Sequence, residues 1–283
     1  MLRTVPAMLI IALTAFAANS IFCRLALEHP SIDATSFTFL RLLSGAVALI
    51  VICVSSNKSW KPSPPKLIPV FALFVYMFCF SLAYIRLSAG TGALLLFGFV
   101  QITMMGVALK QGKRMSIIAW SGLLFAMLGL AYLVSPGISA PEPFFAVLMA
   151  IAGIAWGVYS LSGAKVTDAT SSTASNFIYA SGLSLLTGFF TLESAYFTGK
   201  GVMLALASGV FASGIGYAVW YRVLPAIPMT SAASLQLSVP ALAAFGGVIF
   251  IGESLSIRLL ISVLLIIGGI ALVIQQNSKA VDS

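Results

Sequence analysis

MTSAASLQLSVPALAAFGGVIFIGESLSIRLLISVLLIIGGIALVIQ, running from Met229 to Gln275, contains two apolar runs separated by the short polar turn Gly252-Glu253-Ser254-Leu255-Ser256. Each run is about 20 residues long with no ionised side chain at its centre, the length at which a helix crosses the hydrocarbon core of a bilayer. Backbone N–H and C=O groups meet no water at that depth, so the runs must be helices that satisfy them internally. The stretch predicts a tight pair of transmembrane helices.

The first half of the chain holds a degraded copy of this pair. A shift of about 140 positions lays Gly112 on Gly252, Ser116 on Ser256, Ile117 on Ile257, Leu124 on Leu264, Gly129 on Gly269 and Ala131 on Ala271. A shift of about 137 lays Phe16 to Glu28 on Gly153 to Lys165. Two homologous halves are expected, residues 1–138 and 139–283.

Composition sets the class independently. Hydrophobic residues make up 60% of the chain and charged ones 8%, whereas soluble domains run at roughly half and a quarter. No water-soluble fold hides that much apolar surface. The formal net charge is +8, but the basic residues are scattered singly among apolar runs and form no stripe of the kind nucleic acid requires. The expected surroundings are a lipid bilayer, with no nucleic-acid partner.

Hydropathy along the chain gives ten spans, roughly 5–24, 34–54, 67–87, 91–109, 116–134, 144–164, 173–192, 202–221, 229–251 and 257–275, with boundaries good to about four residues. A cytoplasmic N-terminus places Arg3, Lys58, Lys61, Lys66, Lys110, Lys113, Arg114, Lys165, Arg222 and Lys279 inside, and Arg24, Arg86, Lys200 and Arg258 outside. That is the asymmetry the positive-inside rule asks for, and it puts both termini in the cytoplasm. Five spans per half is an odd number, so the second half enters the membrane upside down relative to the first. The expected fold is an all-α integral membrane protein of ten transmembrane helices, arranged as two inverted five-helix repeats. Such a pair has two nearly equivalent shapes, one open to each side, which is the architecture of alternating access. Residues 5–24 serve the repeat as its first span and are expected to be retained rather than cleaved as a signal. Cys23, Cys53 and Cys79 lie in or at the ends of apolar runs without CxxC spacing. They read as small packing residues, and no metal or cofactor is expected.

Each half ends in a small-residue-rich helix, a short turn and a last helix with glycines. The residues that carry this are Val239-Pro240, Gly252-Glu253-Ser254-Leu255-Ser256 and Gly268-Gly269, with Phe39-Leu40-Arg41 in the second span. The pattern resembles the EamA-type transporters of the drug/metabolite transporter superfamily over almost the whole chain, and within them the YddG-like aromatic amino-acid exporters of bacterial inner membranes. It departs from that pattern in the first-half turn, where Lys113 stands in place of a glutamate. The resemblance implies a multi-pass bacterial inner-membrane protein that exports small metabolites, with amino acids, aromatic ones included, as the favoured substrates. A drug or nucleotide-sugar carrier on the same fold is the alternative.

The polar inventory narrows the mechanism. Proton coupling by the usual route needs a carboxylate or histidine within the bilayer. Glu28, His29, Asp33, Glu142, Asp168, Glu193 and Glu253 all fall at or beyond span ends, so facilitated, downhill movement is expected. A membrane-embedded enzyme would need a nucleophile with a base in reach, and no span offers one. Arg41 is the one basic residue clearly inside a span. It reads as a gate residue, as a partner for an anionic group such as a substrate carboxylate, or as a side chain bonded to carbonyls or snorkelling outward. Arg24, Arg86, Arg222 and Glu253 read as span-end anchors, topology determinants or gates.

An uncharged chamber with aromatic walls is the expected substrate site. Trp156 and Tyr159 stand at i, i+3 on one helix face, and the repeat sets them opposite Asn19 and Phe22. Tyr76, Phe80 and Tyr84 form an i, i+4, i+8 stripe, and Tyr84 matches Trp220 at a slightly different shift. Aromatic rings supply stacking surface with a polar edge, though interfacial belts and ordinary packing use them too. Gln236, with Gln101, Ser234 and Ser238, should face helices or a wet cavity rather than lipid. Pro240 lacks an N–H and frees a carbonyl of the preceding turn, which makes it a hinge candidate. Gly153 and Gly157 have small-xxx-small spacing and read as a close helix contact or a dimer seam. The sequence sets no oligomeric state, and a monomer suffices for this reading.

Overall fold

A computed structural model of the chain describes residues 5–29, 31–56, 60–112, 117–137, 140–163, 166, 168–223, 235–236 and 238–279, with side chains described through residue 272. These residues form ten helices: α1 Val5–Leu27, α2 Ala34–Ser55, α3 Leu67–Ala83, α4 Ala89–Lys110, α5 Ile117–Val134, α6 Pro143–Gly163, α7 Ala169–Phe190, α8 Gly199–Val223, α9 Ser238–Ile251 and α10 Ile257–Lys279. The protein is an all-α integral membrane protein. Six of the helices, α1, α2, α4, α5, α6 and α8, are long and apolar enough to cross a bilayer by length and composition alone. Large apolar side chains such as Phe190, Ile117 and Leu264 lie exposed on the outside, as they do when the solvent is lipid.

Short polar residues start several of the helices. Asp33, Ser88, Asp168 and Thr198 each accept a backbone N–H of the turn that follows, satisfying one of the donors a helix start leaves free. The third helix is shorter than the expected 67–87 and ends at Ala83. Just beyond it, the carbonyls of Tyr84 and Ile85 accept the Arg24 guanidinium. Expected positions 229–234 of the ninth span lie outside the described residues. The seventh helix is rich in Ser and Thr and buries Thr173, Ser175, Asn176, Ser181 and Ser184 against neighbours.

Contacts between connections fix the directions of the helices. One end of the molecule gathers Arg24, Tyr84, Ala89 and Glu253, Ser31 with Thr198, Asp33 with Tyr196, Arg86 with Glu142, and Arg258 with Ser135 and Pro136. The helices therefore alternate in direction, and α6 runs opposite to α1. The principal packing pairs are α5·α10, α2·α7, α4·α9, α3·α6, α1·α8, α2·α8, α3·α7, α4·α6 and α1·α9. Moving each helix five places along, with wrap-around, turns this set into itself. The turn glycines that the repeat shift matches share a backbone conformation, Gly112 at φ 81° and Gly252 at φ 79°, a left-handed geometry in which a Cβ is strained. Gly129 of α5 sits against Ile266 of α10, and Gly269 of α10 against the backbone of Gly122 and Ala126. The face holding Gly153 and Gly157 packs on Leu96, Phe99, Val100 and Thr103 of α4. That seam is filled from within the chain, so the dimer reading of these two glycines does not hold.

Candidate functional site

Near the middle of the bundle, rings from several helices surround a small cavity. Trp156 of α6 stacks on Tyr217 of α8, with centroids 5.2 Å apart and planes 22° from parallel. Tyr76 of α3 lies 4.9 Å from Trp156 on another side, and Phe80 follows it at 5.5 Å one helical turn on. Phe16 of α1 meets Tyr217 edge-on at 5.7 Å. Leu96 and Phe97 of α4 complete the apolar wall, while Asn19, Ser20 and Gln236 bring polar edges to it. The room inside amounts to about 20 Å³, on the scale of one water molecule. No amino acid fits in that space, so binding one there requires the rings to move.

A chain of hydrogen bonds runs behind this wall. Ser208 Oγ donates to Asn19 Oδ1 at 2.6 Å, and Asn19 Nδ2 donates to Tyr76 Oη at 3.5 Å. Arg41 Nη2 donates to the same Tyr76 oxygen at 3.2 Å, and Arg41 Nε to Ser213 Oγ at 3.3 Å. Both serines belong to the π-helical segment Ser208–Ile215 inside α8. Such irregular turns often mark functional positions, because they interrupt the regular helix ladder. Close packing brings the segment here: Gly209 lies against the Arg41 carbonyl and Ser44, and Gly214 against Ala48. The Arg41 side chain is fully buried, with its guanidinium carbon 4.8 Å from the Phe80 centroid and 5.6 Å from that of Tyr76. Its Nη1 has no hydrogen-bond partner among the described residues.

At the end of the bundle where Arg24 lies, the charges are organised differently. Arg24 donates to Glu28 at 2.7 Å, to Glu253 at 3.3 Å and to the carbonyls of Tyr84 and Ile85. Glu253 also takes the Ala89 N–H at the start of α4 on both carboxylate oxygens, at 3.0 and 2.9 Å. It thereby caps α4 across the bundle, where its negative charge also favours the helix N-terminus. Burial raises the Glu253 carboxyl above the usual glutamate value, although the Ala89 N–H and Arg24 pull it down. Among the described residues no three of His, Cys, Asp and Glu come together as metal ligands would.

Of the residues singled out in the sequence, Asn19, Tyr76, Phe80, Trp156 and Gln236 line the cavity. The chamber expected from Asn19, Phe22, Trp156 and Tyr159 together is walled by only two of the four. Tyr159 is buried beside Trp156, but its hydroxyl bonds to Thr173 and Asn176 of α7, and Phe22 is half-buried away from the lining. Tyr84 is fully buried under Gly92, with its hydroxyl on the Ala89 carbonyl. Trp220 packs edge-on to Phe16 behind the wall. Arg41 sits one layer behind the cavity. Pro240 is buried in the first turn of Ser238–Ile251, and the irregular π segment of that helix lies further on, at Gly247–Ile251. Ser234 lies outside the described residues. Tyr217, Phe16 and the two α8 serines were not singled out. The shift of about 137 that pairs Asn19 with Trp156 also pairs Phe80 with Tyr217 and Tyr76 with Ser213, so applying it to α3 finds Tyr217 and Ser213, while no such pairing marks Phe16 or Ser208.

Comparison with known proteins agrees with this architecture. The model of the EamA-like transporter family matches residues 144–275. The protein PA1977 of Pseudomonas aeruginosa is 44% identical, covering 94% of this chain and 92% of its own. The transporter YoaV of Bacillus subtilis is 24% identical, covering 83% and 85%. The threonine/homoserine exporter RhtA of Escherichia coli is 28% identical over 62% of this chain and 61% of its own. A solved crystal structure at 18% identity superposes with a TM-score of 0.70 over 96% of this chain and 97% of that one, which is likeness of fold alone.

Proposed function

The chain belongs to the EamA-like transporter family, and on that premise we propose that it exports small metabolites, amino acids including aromatic ones, across the bacterial inner membrane. In this reading residues 1–138 and 139–283 are inverted repeats, both termini are cytoplasmic, and the site alternates between the two faces. The observation that carries it is the central cavity shared by the two halves. Its wall takes Asn19, Tyr76, Phe80 and Phe97 from one half and Trp156, Tyr217 and Gln236 from the other, so relative motion of the halves opens and closes it. The helix pairing that survives a five-place exchange supports the repeat, and RhtA is a relative described as exporting threonine and homoserine. Stacked rings with polar edges suit an aromatic amino acid, in keeping with the resemblance to the YddG-like exporters. The described carboxylates lie at helix ends or in connections, which favours downhill movement over proton exchange.

Counterflow with purified protein in liposomes, against a panel of amino acids, sugars and organic cations, tests the reading. Amino acids are expected to exchange without an imposed proton gradient, and an absolute requirement for one would overturn the downhill mechanism. Trp156→Ala should lower the exchange at least about tenfold, equivalent to about 1.4 kcal/mol. Leu264→Ala, on the lipid face, should leave it within about twofold. Equal losses at the two positions would remove the chamber assignment.

A further inference from the structure

Arg41 is a buried cationic side chain with no negative partner among the described residues. Its side chain is 0% exposed, its two bonded acceptors are the neutral hydroxyls of Tyr76 and Ser213, and its remaining terminal nitrogen has none among the described residues. The ion pairs found among the described residues hold Arg24 and Arg86, not Arg41. An ion taken out of water is stabilised only by a counter-charge or by many hydrogen bonds, and inside a membrane such a residue marks a site of function. Cation–π contact with Phe80 and Tyr76 offsets part of the deficit, but it cannot supply an acceptor for the unpartnered N–H groups.

The surroundings indicate where the missing anion belongs. Tyr76 and Phe80 are at once the rings that flank the guanidinium and two walls of the cavity, so displacing either ring exposes Arg41 to the chamber. The Tyr76 oxygen already accepts from both Asn19 and Arg41, which leaves its own O–H free to donate to a further acceptor. With either ring displaced, the guanidinium fork and the hydroxyl proton would face a chamber that the Trp156–Tyr217 stack also walls. A carboxylate is matched by this donor set, whereas an ammonium group there would meet a like charge.

Resting on the transporter reading above, we propose that Arg41 with Tyr76 forms the carboxylate-binding subsite of the chamber, and that the substrates are carboxylates, amino acids or related organic acids, to the exclusion of amines and amides. The group the substrate carries opposite its carboxylate lies against the aromatic stack.

Thermal unfolding of the purified full-length protein in detergent tests this with four probes of one shape: phenylalanine, 3-phenylpropionate, phenylalaninamide and phenethylamine, with threonine and succinate as non-aromatic acids. The two aromatic acids are expected to raise the Tm in a saturable way, and the amide and amine to need at least about tenfold higher concentration. In Arg41→Gln the advantage of acid over amide should vanish, in Arg41→Lys it should survive in part, and in Tyr76→Phe it should shrink severalfold. Should Arg41→Gln fail to fold, the acid-to-amide ratio in the unaltered protein and in Tyr76→Phe still decides. Equal binding of phenethylamine, a retained acid preference in Arg41→Gln, or no response to any carboxylate overturns the proposal. Binding of threonine or succinate without the phenyl compounds leaves Arg41 as the anion site and refutes the aromatic part of the transporter reading instead.

Discussion

Arg24 and Arg41 are both largely buried arginines bonded across the two halves of the chain, and they differ in what satisfies them. Arg24 reaches two carboxylates and two backbone carbonyls. Arg41 has two hydroxyls and an unpartnered nitrogen. Saturation with fixed charges makes the first a fastener: it joins α1, the α3–α4 turn and the α9–α10 turn at one end of the bundle. Incomplete satisfaction by neutral groups makes the second a waiting donor. Similar burial therefore goes with unequal roles, and the count and charge of the partners separates them.

The largest expected effect is at the fastener. Arg24→Ala strands Glu253 and Glu28 beside each other and removes donors from the carbonyls of Tyr84 and Ile85, so a loss of about 3–5 kcal/mol is expected, as for a broken buried pair. Thermal unfolding of the purified protein measures it. If Arg24→Ala unfolds within a degree of the unaltered protein, the end of the bundle is not fastened there and the contrast between the arginines fails. Arg41→Met should do the reverse. Replacing a buried, uncompensated charge with an apolar chain of similar length is often neutral or stabilising, so unfolding is expected to change by less than about 1 kcal/mol while acid binding is lost. A destabilisation as large as that of Arg24→Ala would make Arg41 a second fastener.

Glu253 sharpens the comparison through pH. Its carboxyl is held above the usual glutamate value, with burial the leading cause. A raised value means that the folded, closed arrangement binds the proton more tightly than the unfolded chain does. The contribution of this group is therefore fully present below the ordinary glutamate range and is lost as pH rises through the raised value. Acidification from neutral toward about pH 4.5 should favour the closed end by this group's share, even though it weakens the Arg24 contact. Glu253→Gln keeps an acceptor for the Ala89 N–H without the charge, so it should flatten that part of the stability–pH curve. Glu253→Ala removes the cap as well and should cost about 1 kcal/mol. Parallel curves for the Glu253→Gln variant and the unaltered protein would show that the group does not titrate in this window.

Much of this could be read from the sequence, for reasons that explain the exceptions. Helix number and approximate limits follow from hydropathy, because lipid leaves the backbone no other regular structure. Gly112 and Gly252 were matched by the repeat, and the left-handed turn at each shows why glycine stands there. Asn19, Tyr76, Phe80, Trp156 and Gln236 were legible as mid-span polar or aromatic groups. Tyr217 stands close to the end of the expected 202–221 span and just past the π segment Ser208–Ile215, so hydropathy alone does not mark it, and only its repeat partner Phe80 does. Glu253 read as a span-end anchor, but its partners Arg24 and Ala89 come from positions 229 and 164 residues away, and no local pattern encodes such a pairing. Tyr84 does continue the aromatic stripe, its ring 4.7 Å from Phe80 and its N–H on the Phe80 carbonyl, but it packs under Gly92 rather than at the cavity.

A third arginine sets the lower limit of the series. Arg86 faces Glu142 at 3.7 Å with side chains 62% and 59% exposed, at the same end of the bundle as Arg24. Both ions keep most of their hydration, the separation is long for a charge-assisted hydrogen bond, and salt screens what attraction remains. Exposed pairs of this kind contribute below about 1 kcal/mol, so Arg86→Ala should move unfolding by no more than about 0.5 kcal/mol and leave acid binding unchanged. The three arginines then form a scale on which stability follows charged partners, and binding follows their absence. A large loss of stability at Arg86 would mean that position along the bundle axis, rather than partner saturation, governs what an arginine contributes here, and the distinction between Arg24 and Arg41 would have to be rebuilt on depth.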